Sequence, residues 1–314
     1  MSTNQEILET IKSHLIESYE NENTRVVPKK NDLNFDNHVK TLEHAIAFFI
    51  DMRKSRKILS DANDFWSVKI HKSFLKAVTH CIDNRDGHLR SFNGDGILAF
   101  FVGENAASRG VRSAMDIKGF VSKINETLDS YGIDTIDFGI GMAQGKIMIA
   151  KSGKSGDDQT KQDLVWIGLP VYVAVELSEL GSSPKNIWIT HNVRNAIEKQ
   201  KYLGVIYDHD GKSMWTKCSK KLKSVGEYDV RSTSWYFKGD LNKFMGKEDI
   251  NFWHDELVRV TDWVKLGDQK AAFLSAYYLA IFGLILANKN SILQTSHNLL
   301  FWFLATTISI SFIA

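Results

Sequence analysis

Apolar residues recur along this chain in several distinct rhythms, and the rhythms predict its elements. In the first twenty residues Ile7, Ile11, Leu15 and Ile16 fall at helical spacing, the signature of an amphipathic helix. A polar stretch containing Pro28 follows to about Thr41 and reads as a loop. AIAFFI (residues 45–50) is short and continuously apolar, as a buried strand is, and the strand is expected to end at Asp51. Phe65, Trp66, Ile70, Phe74, Leu75 and Val78 then mark the packed face of a helix.

In HLRSFNGDGILAFF two apolar runs flank AsnGlyAspGly at 93–96, a tight-hairpin signal because Asn and Gly both tolerate positive φ. Residues 106–128 predict a second amphipathic helix, residues 136–142 a strand and 146–150 its partner, with 151–163 a polar, glycine-containing loop. VWIGLPVYVAVELSEL passes from strand into helix, and NIWIT (residues 186–190) opens a strand and helix ending near Gln200. Strands and helices mixed in this way predict an α+β sandwich, one sheet covered by helices.

The last part of the chain breaks the pattern. Overall composition, 43% apolar and 24% charged, is that of an ordinary globular protein, but between Ala271 and Ala314 the only side chains that can carry a full positive or negative charge near neutral pH are Lys289 and His297. The uncharged runs at 271–287 and 299–314 have no polar face to give to water. Seventeen residues of helix span roughly 25 Å, the short end of a membrane crossing. A two-helix transmembrane hairpin is the expectation, against a pair of helices buried in a large core.

The expected organisation is therefore an N-terminal helix and loop (1–38), an α+β domain (39–240), a connecting helix (241–267) and the hairpin (268–314). In the connecting segment Phe252, Trp253, Leu257, Val260 and Val264 share one helical face, fit either to carry motion to the membrane or simply to pack. Arg259, Lys265 and Lys270 precede the first span and the loop at 288–298 holds one lysine, a bias toward a cytoplasmic N-terminal domain at an inner membrane.

There is no apolar N-terminal leader, and Cys81 and Cys218 have neither metal-ligand spacing nor the density of a disulfide framework, so a reducing compartment is expected. The net charge of +2 makes no case for a nucleic-acid partner. The basic clusters at 53–57 and 220–223 read as solvated faces or phosphate contacts.

The strongest chemical feature is a pair of aspartates. If the strand before Asp51 pairs with the hairpin that carries Asp95, the two carboxylates meet at one sheet edge, a hard oxygen site suited to Mg²⁺ or Mn²⁺. The plainer alternative gives Asp51 a helix cap and Asp95 a turn.

FFID (residues 48–51), FNGDG (92–96), DLVWIG (163–168) and the late MW…C…RSTSWYF pattern (214–237) stand in the order of the class III nucleotidyl cyclases, and the chain most resembles the pyrimidine cyclases of bacterial antiphage Pycsar systems. That resemblance, over about 39–237, implies a homodimer with a nucleotide cleft between subunits and makes Asp51 and Asp95 the metal ligands. It also implies nucleotide-binding roles around Phe48, Met52, Ser91, Val165, Trp166, Tyr172 and Glu176.

Ser91 and Val165 stand where purine cyclases carry their base-reading residues, so cyclic AMP and cyclic GMP are disfavoured. Tyr172 and Glu176 replace the asparagine that orients the sugar and the cation that supports the transition state, which leaves an anion where positive charge is expected. Lys146, Lys151 and Lys154 are the candidates to supply the missing charge.

Asp268, Lys270 and Ala271 match the Asp-x-Lys-Ala element that opens the transmembrane effectors of Pycsar systems, although Lys270 can equally anchor a helix at the headgroups. The leading expectation is a membrane effector that binds cyclic UMP or cyclic CMP and impairs the bilayer. Its alternative is an active, membrane-tethered uridylate or cytidylate cyclase using two metal ions.

Overall fold

The computed structural model describes residues 4–35, 37–53, 64–154, 159–201 and 203–237. The chain divides into two units, Met1–Leu241 and Asn242–Ala314, and the described residues all belong to the first. The connecting helix, Asp268, Lys270, Ala271 and both apolar runs expected to form the hairpin lie outside the described residues. Among the described residues no helix is long and apolar enough to cross a membrane.

The elements are α1 (Asn4–Ile16), β1 (Glu20–Asn23), β2 (His38–Arg53), α2 (Asp64–Asp83), β3 (His88–Asn93), β4 (Gly96–Phe101), α3 (Ala106–Ser130), β5 (Asp137–Gly153), β6 (Gln162–Ile167), α4 (Leu169–Leu180), β7 (Ile187–Thr190), α5 (His191–Lys199), β8 (Thr216–Leu222) and β9 (Gly226–Thr233). The strands form one sheet in the order β3-β4-β2-β5-β7-β9-β8, with β1 added to β2 and β6 to β5. The expected mixed α+β domain is present.

The sheet separates two chemistries because side chains alternate across it. On one face Phe48 meets Phe101 at 5.8 Å between ring centroids and Phe74 of α2 meets Phe138 at 6.2 Å, the core beneath α2 and α3. On the other face α4 lies almost on the backbone of β5. A Cβ at Gly141 would stand 1.9 Å from the Ala174 carbonyl oxygen and one at Gly139 would stand 2.0 Å from that of Ser178. Only glycine admits so close a helix.

Two expectations change here. The strand read at 45–50 runs from His38 to Arg53, so Asp51 lies within its last three residues rather than just past it. The strands read separately at 136–142 and 146–150 are one strand, β5, whose true hairpin partner is β6. Gly145, between the two stretches, lies under Pro170, where a Cβ would come 2.8 Å from the proline ring.

Candidate functional site

β2 and β4 are antiparallel neighbours with Ile50 opposite Ile97, which brings the end of β2 to the turn that joins β3 and β4. That turn holds two residues, Gly94 and Asp95, between the paired Asn93 and Gly96. Gly94 takes φ +66°, the left-handed value that a tight hairpin needs at its first central position. The hairpin is thus centred on Gly94–Asp95, one residue later than Asn-Gly chemistry alone would place it, and Asp95 occupies its tip.

Asp51 and Asp95 are brought together. A Cβ on Gly96 would lie 3.3 Å from Asp51 Oδ1 and 3.0 Å from the Phe49 ring, so glycine leaves room for the carboxylate. Burial pushes the Asp51 carboxyl above its ordinary range, and the neighbouring Asp95 charge pushes it further. The Arg53 guanidinium and the Met52 amide pull the other way, and Glu179 of α4 adds a smaller upward push. Asp95 Oδ2 is buried and has no hydrogen-bond partner.

A divalent cation fits this arrangement. Two repelling carboxylates and an orphaned buried oxygen are an incomplete set that positive charge completes. Among the described residues no cluster of three or more His, Cys, Asp or Glu stands ready to hold a metal. Two carboxylates remain, and Mg²⁺ commonly uses one or two of them together with substrate phosphates.

The other expected residues divide by face. Phe48 and Met52 are buried, and strand alternation aims their side chains into the α2/α3 core rather than with Asp51. Ser91 pairs with Leu98, which pairs with Phe49 in turn, so Ser91 shares the face of Asp51. Val165 is 41% exposed on β6, whereas Trp166 turns inward and stacks on Phe100 at 4.5 Å.

Tyr172 is exposed on α4. Glu176, one turn along, accepts from the Lys223 amide at 2.5 Å and the Ser224 amide at 2.9 Å, in the turn between β8 and β9. Lys146 pairs with Glu43 at 3.5 Å and Lys151 lies 5.0 Å from the Phe35 ring, so neither is seated against Glu176. On the β8–β9 side of this helix Lys223 Nζ lies 3.8 Å from Glu179.

Arg53, Gly96 and Glu179 complete the neighbourhood, and none stood out as a site residue in sequence. Gly96 had a signal, being the glycine after Asp95. Arg53 was hidden in a basic cluster, and Glu179 depends on how α4 lies across the sheet.

The comparisons bear on this geometry. No family model matches the chain. It is 29% identical over 203 residues to a uridylate cyclase of Burkholderia cepacia, covering 63% of this chain and 83% of that one. With a uridylate cyclase of Xanthomonas perforans the identity is 26% over 173 residues, 54% and 70% of the respective chains.

Among solved structures, the guanylyl cyclase Cya2 superposes with a TM-score of 0.51 at 15% identity, over 63% of this chain and 95% of that one. The adenylyl cyclase CyaB of P. aeruginosa gives 0.50 at 16% identity, over 62% and 95%. The domain has a class III nucleotidyl-cyclase-like fold. Its sequence is homologous to uridylate cyclases. A class III adenylyl cyclase-like ATP-binding protein of Pseudomonas aeruginosa shares the fold as well, with a TM-score of 0.50 at 18% identity over 67% of this chain and 46% of that one. In this cyclase-like domain the carboxylate pair lies at the end of β2 and the tip of the β3–β4 hairpin, and α4 forms the adjoining wall.

Proposed function

We propose that the domain is a metal-dependent pyrimidine nucleotide cyclase acting on UTP. The observation that carries this reading is the meeting of Asp51 with Asp95, whose Oδ2 is buried and unpartnered. Homology to proteins named uridylate cyclases supports the choice of base, and Ser91 and Val165, neither of them a purine-reading residue, agree with it.

In the proposed reaction the ribose 3′ oxygen forms a bond to the α-phosphorus, the bond from that phosphorus to the pyrophosphate oxygen breaks, and the hydroxyl proton passes to solvent. Asp51 and Asp95 would hold one or two Mg²⁺ or Mn²⁺ ions beside the triphosphate. Such ions supply charge stabilisation at the attacking and leaving oxygens. Ser91 lies on the face that carries the carboxylates, and Tyr172 offers an exposed ring and hydroxyl on α4. A homodimer, expected from the resemblance, would close the cleft.

A second reading has one specific observation in its favour. Glu176 spends its carboxylate on the β8–β9 turn where cyclases of this type place a free cation, so the domain would bind a cyclic pyrimidine nucleotide without making one. In that reading the apolar runs at 271–287 and 299–314 form a membrane hairpin at the inner membrane, and ligand binding impairs the bilayer. A ligand drives such a change only through different affinities for two states.

The deciding experiment gives the full-length protein each of UTP, CTP, ATP and GTP with Mn²⁺ and measures pyrophosphate release, alongside titration with cyclic UMP, cyclic CMP, cyclic AMP and cyclic GMP. Turnover of UTP that Asp51→Asn abolishes supports the cyclase. Absent turnover together with binding of a cyclic pyrimidine nucleotide rejects it in favour of the sensor.

A further inference from the structure

Asp51 of β2 and Gly139 of β5 are direct cross-strand partners, so their side-chain positions face the same side of the sheet, the side that α4 covers. What stands over Gly139 is the end of that helix. A Cβ at Gly139 would lie 2.0 Å from the Ser178 carbonyl oxygen and 2.9 Å from that of Gly181. The Cβ positions of directly opposed residues are roughly 4.5–5.5 Å apart, so the Ser178 carbonyl falls within roughly 7.5 Å of the Asp51 Cβ. The last turn of α4 therefore borders the Asp51 carboxylate of its own chain, about two turns beyond the exposed Tyr172.

Charge is unevenly placed along this border. The last carbonyls of a helix carry its negative pole. Arg53 answers part of it, Nε donating to the Gly181 carbonyl at 2.9 Å and Nη2 to the Ser178 carbonyl, which also accepts the Gly181 amide at 2.9 Å. Glu179 lies between those two residues in sequence and adds a full negative charge to the same turn. Burial and Asp95 are the main causes that raise the Asp51 carboxyl, and the Glu179 charge acts in the same direction while Arg53 opposes it. Glu179 has Lys223 Nζ at 3.8 Å, but the two side chains are 56% and 85% exposed, a setting in which an ion pair contributes little. So loose a pair does not hold Glu179 away from Asp51.

We propose that Glu179 is an outer carboxylate of the cation site: with Mg²⁺ or Mn²⁺ on Asp51 and Asp95 of the same chain, Glu179 accepts hydrogen bonds from water on the ion. This rests on the metal-dependent reading above. Two carboxylates leave most positions of an octahedral ion to water and phosphate, and those waters need acceptors. A carboxylate beyond the direct ligands also adds attraction where the Arg53 guanidinium repels the ion. Its place is outside the direct ligands, since among the described residues no cluster of three His, Cys, Asp or Glu stands ready to ligate one ion.

The test titrates the full-length protein with Mn²⁺ alone, reading bound against free ion by electron paramagnetic resonance, in the wild type, Asp51→Asn, Glu179→Gln, Glu179→Asp and Glu126→Gln. Glu126 is an exposed carboxylate of α3 paired with Lys123 and controls for the loss of net charge. Glu179→Gln is expected to weaken Mn²⁺ binding about tenfold, the lower end of what outer partners of a metal site give. Glu179→Asp keeps the charge on a shorter stem and is expected to recover part of that loss. Glu126→Gln is expected to stay within about twofold of the wild type, because salt screens a distant exposed charge. If Glu179→Gln binds Mn²⁺ as tightly as the wild type, or no more weakly than Glu126→Gln does, the proposal is overturned. If the wild type binds no Mn²⁺, or Asp51→Asn binds it equally well, the carboxylate pair is not the metal site and the metal-dependent reading fails, taking the role of Glu179 with it. The two failures differ because the first occurs in a protein that binds Mn²⁺ and loses it on Asp51→Asn.

Discussion

Ser224 donates its amide to Glu176 Oε1 at 2.9 Å, a bond that spans 48 positions in sequence and, with the Lys223 amide on the other oxygen, ties the β8–β9 turn to α4. The apolar half of the same contact joins Val173 and Leu177 of α4 to Leu222 and Val230. Glu176 is therefore a carboxylate whose oxygens are taken up by main-chain donors, which differs from a bare carboxylate facing phosphate. Replacing it with lysine puts a cation against two amide donors. Glu176→Lys is expected to destabilise the domain by about 1–3 kcal/mol and to leave UTP turnover no higher than in the wild type. Chemical denaturation and the turnover assay check both parts. A more active and equally stable variant would return this position to the phosphate-facing role.

The carboxylate pair sets function against stability. Asp51 is raised by burial and by Asp95, so above its folded pKa its charge costs the fold something that the unfolded chain does not pay. Between the ordinary carboxylate value and the raised one Asp51 holds more proton in the folded state than in the unfolded one, and its own contribution to stability without metal falls as pH rises through that window. It then stays low up to neutrality. Asp51→Asn removes this cost and should raise the melting temperature in EDTA at pH 7. The same variant should lose the stabilisation that Mn²⁺ gives the wild type, along with all UTP turnover. Calorimetry with and without Mn²⁺ reads both effects, and equal metal stabilisation of the two proteins would remove Asp51 from the metal site.

Packing between α4 and β5 gives a third expectation. At Gly141 an added methyl would meet the Ala174 carbonyl oxygen at 1.9 Å and the Ser178 nitrogen at 2.6 Å, both backbone atoms that cannot rotate away. Gly141→Ala must therefore shift the helix. A loss of about 1–3 kcal/mol is expected, the usual cost of overpacking, together with reduced turnover because α4 forms the wall beside Asp51. At Gly211 nothing stands within 4 Å, but φ is +74°, so Gly211→Ala should cost about 1 kcal/mol through the backbone alone and leave turnover unchanged. Denaturant melts and UTP turnover of the pair separate a displaced helix from ordinary strain.

How much of this was legible in sequence depends on which interaction placed each residue. The pairing of β2 with the β3–β4 hairpin could be read because AIAFF and ILAFF are continuously apolar and the tight turn just before ILAFF has its own chemistry, and that brought Asp51 to Asp95. The extension of β2 to His38 could not, since a register shift between Leu42 and Ala45 breaks the alternation. β8 also escaped. TKCSKKL is an edge strand with most side chains in water, and lysines there protect an edge without leaving a strand-like pattern. Arg53 looked like one cation among several at 53–57, and only the fold shows it bound to carbonyls more than 120 positions away. Glu176 was read as a charge reversal because its partners are backbone amides, which sequence does not distinguish.

The last expectation concerns Lys118 on α3, whose pKa burial pulls down from 10.5 to about 8 against a smaller upward pull from Asp137. Its ammonium donates to the Pro184 carbonyl, and the Tyr236 ring lies 6.0 Å away. A lysine depressed in the fold sheds its proton there before it does so in the unfolded chain. Between pH of about 8 and 10.5 the unfolded state thus binds more protons, and the contribution of Lys118 to stability rises with pH across that window. Below pH 8 the fold carries the full cost of the half-buried charge. Lys118→Met keeps most of the stem and removes the titration. The stability difference between wild type and Lys118→Met should therefore move in favour of the wild type as pH rises from 8 to 10, by a modest amount because the ammonium is partly exposed to solvent. Urea melts of both proteins at pH 7, 8, 9 and 10 measure the difference free of every other titrating group. A constant difference would place the Lys118 pKa at its ordinary value and discard the burial argument.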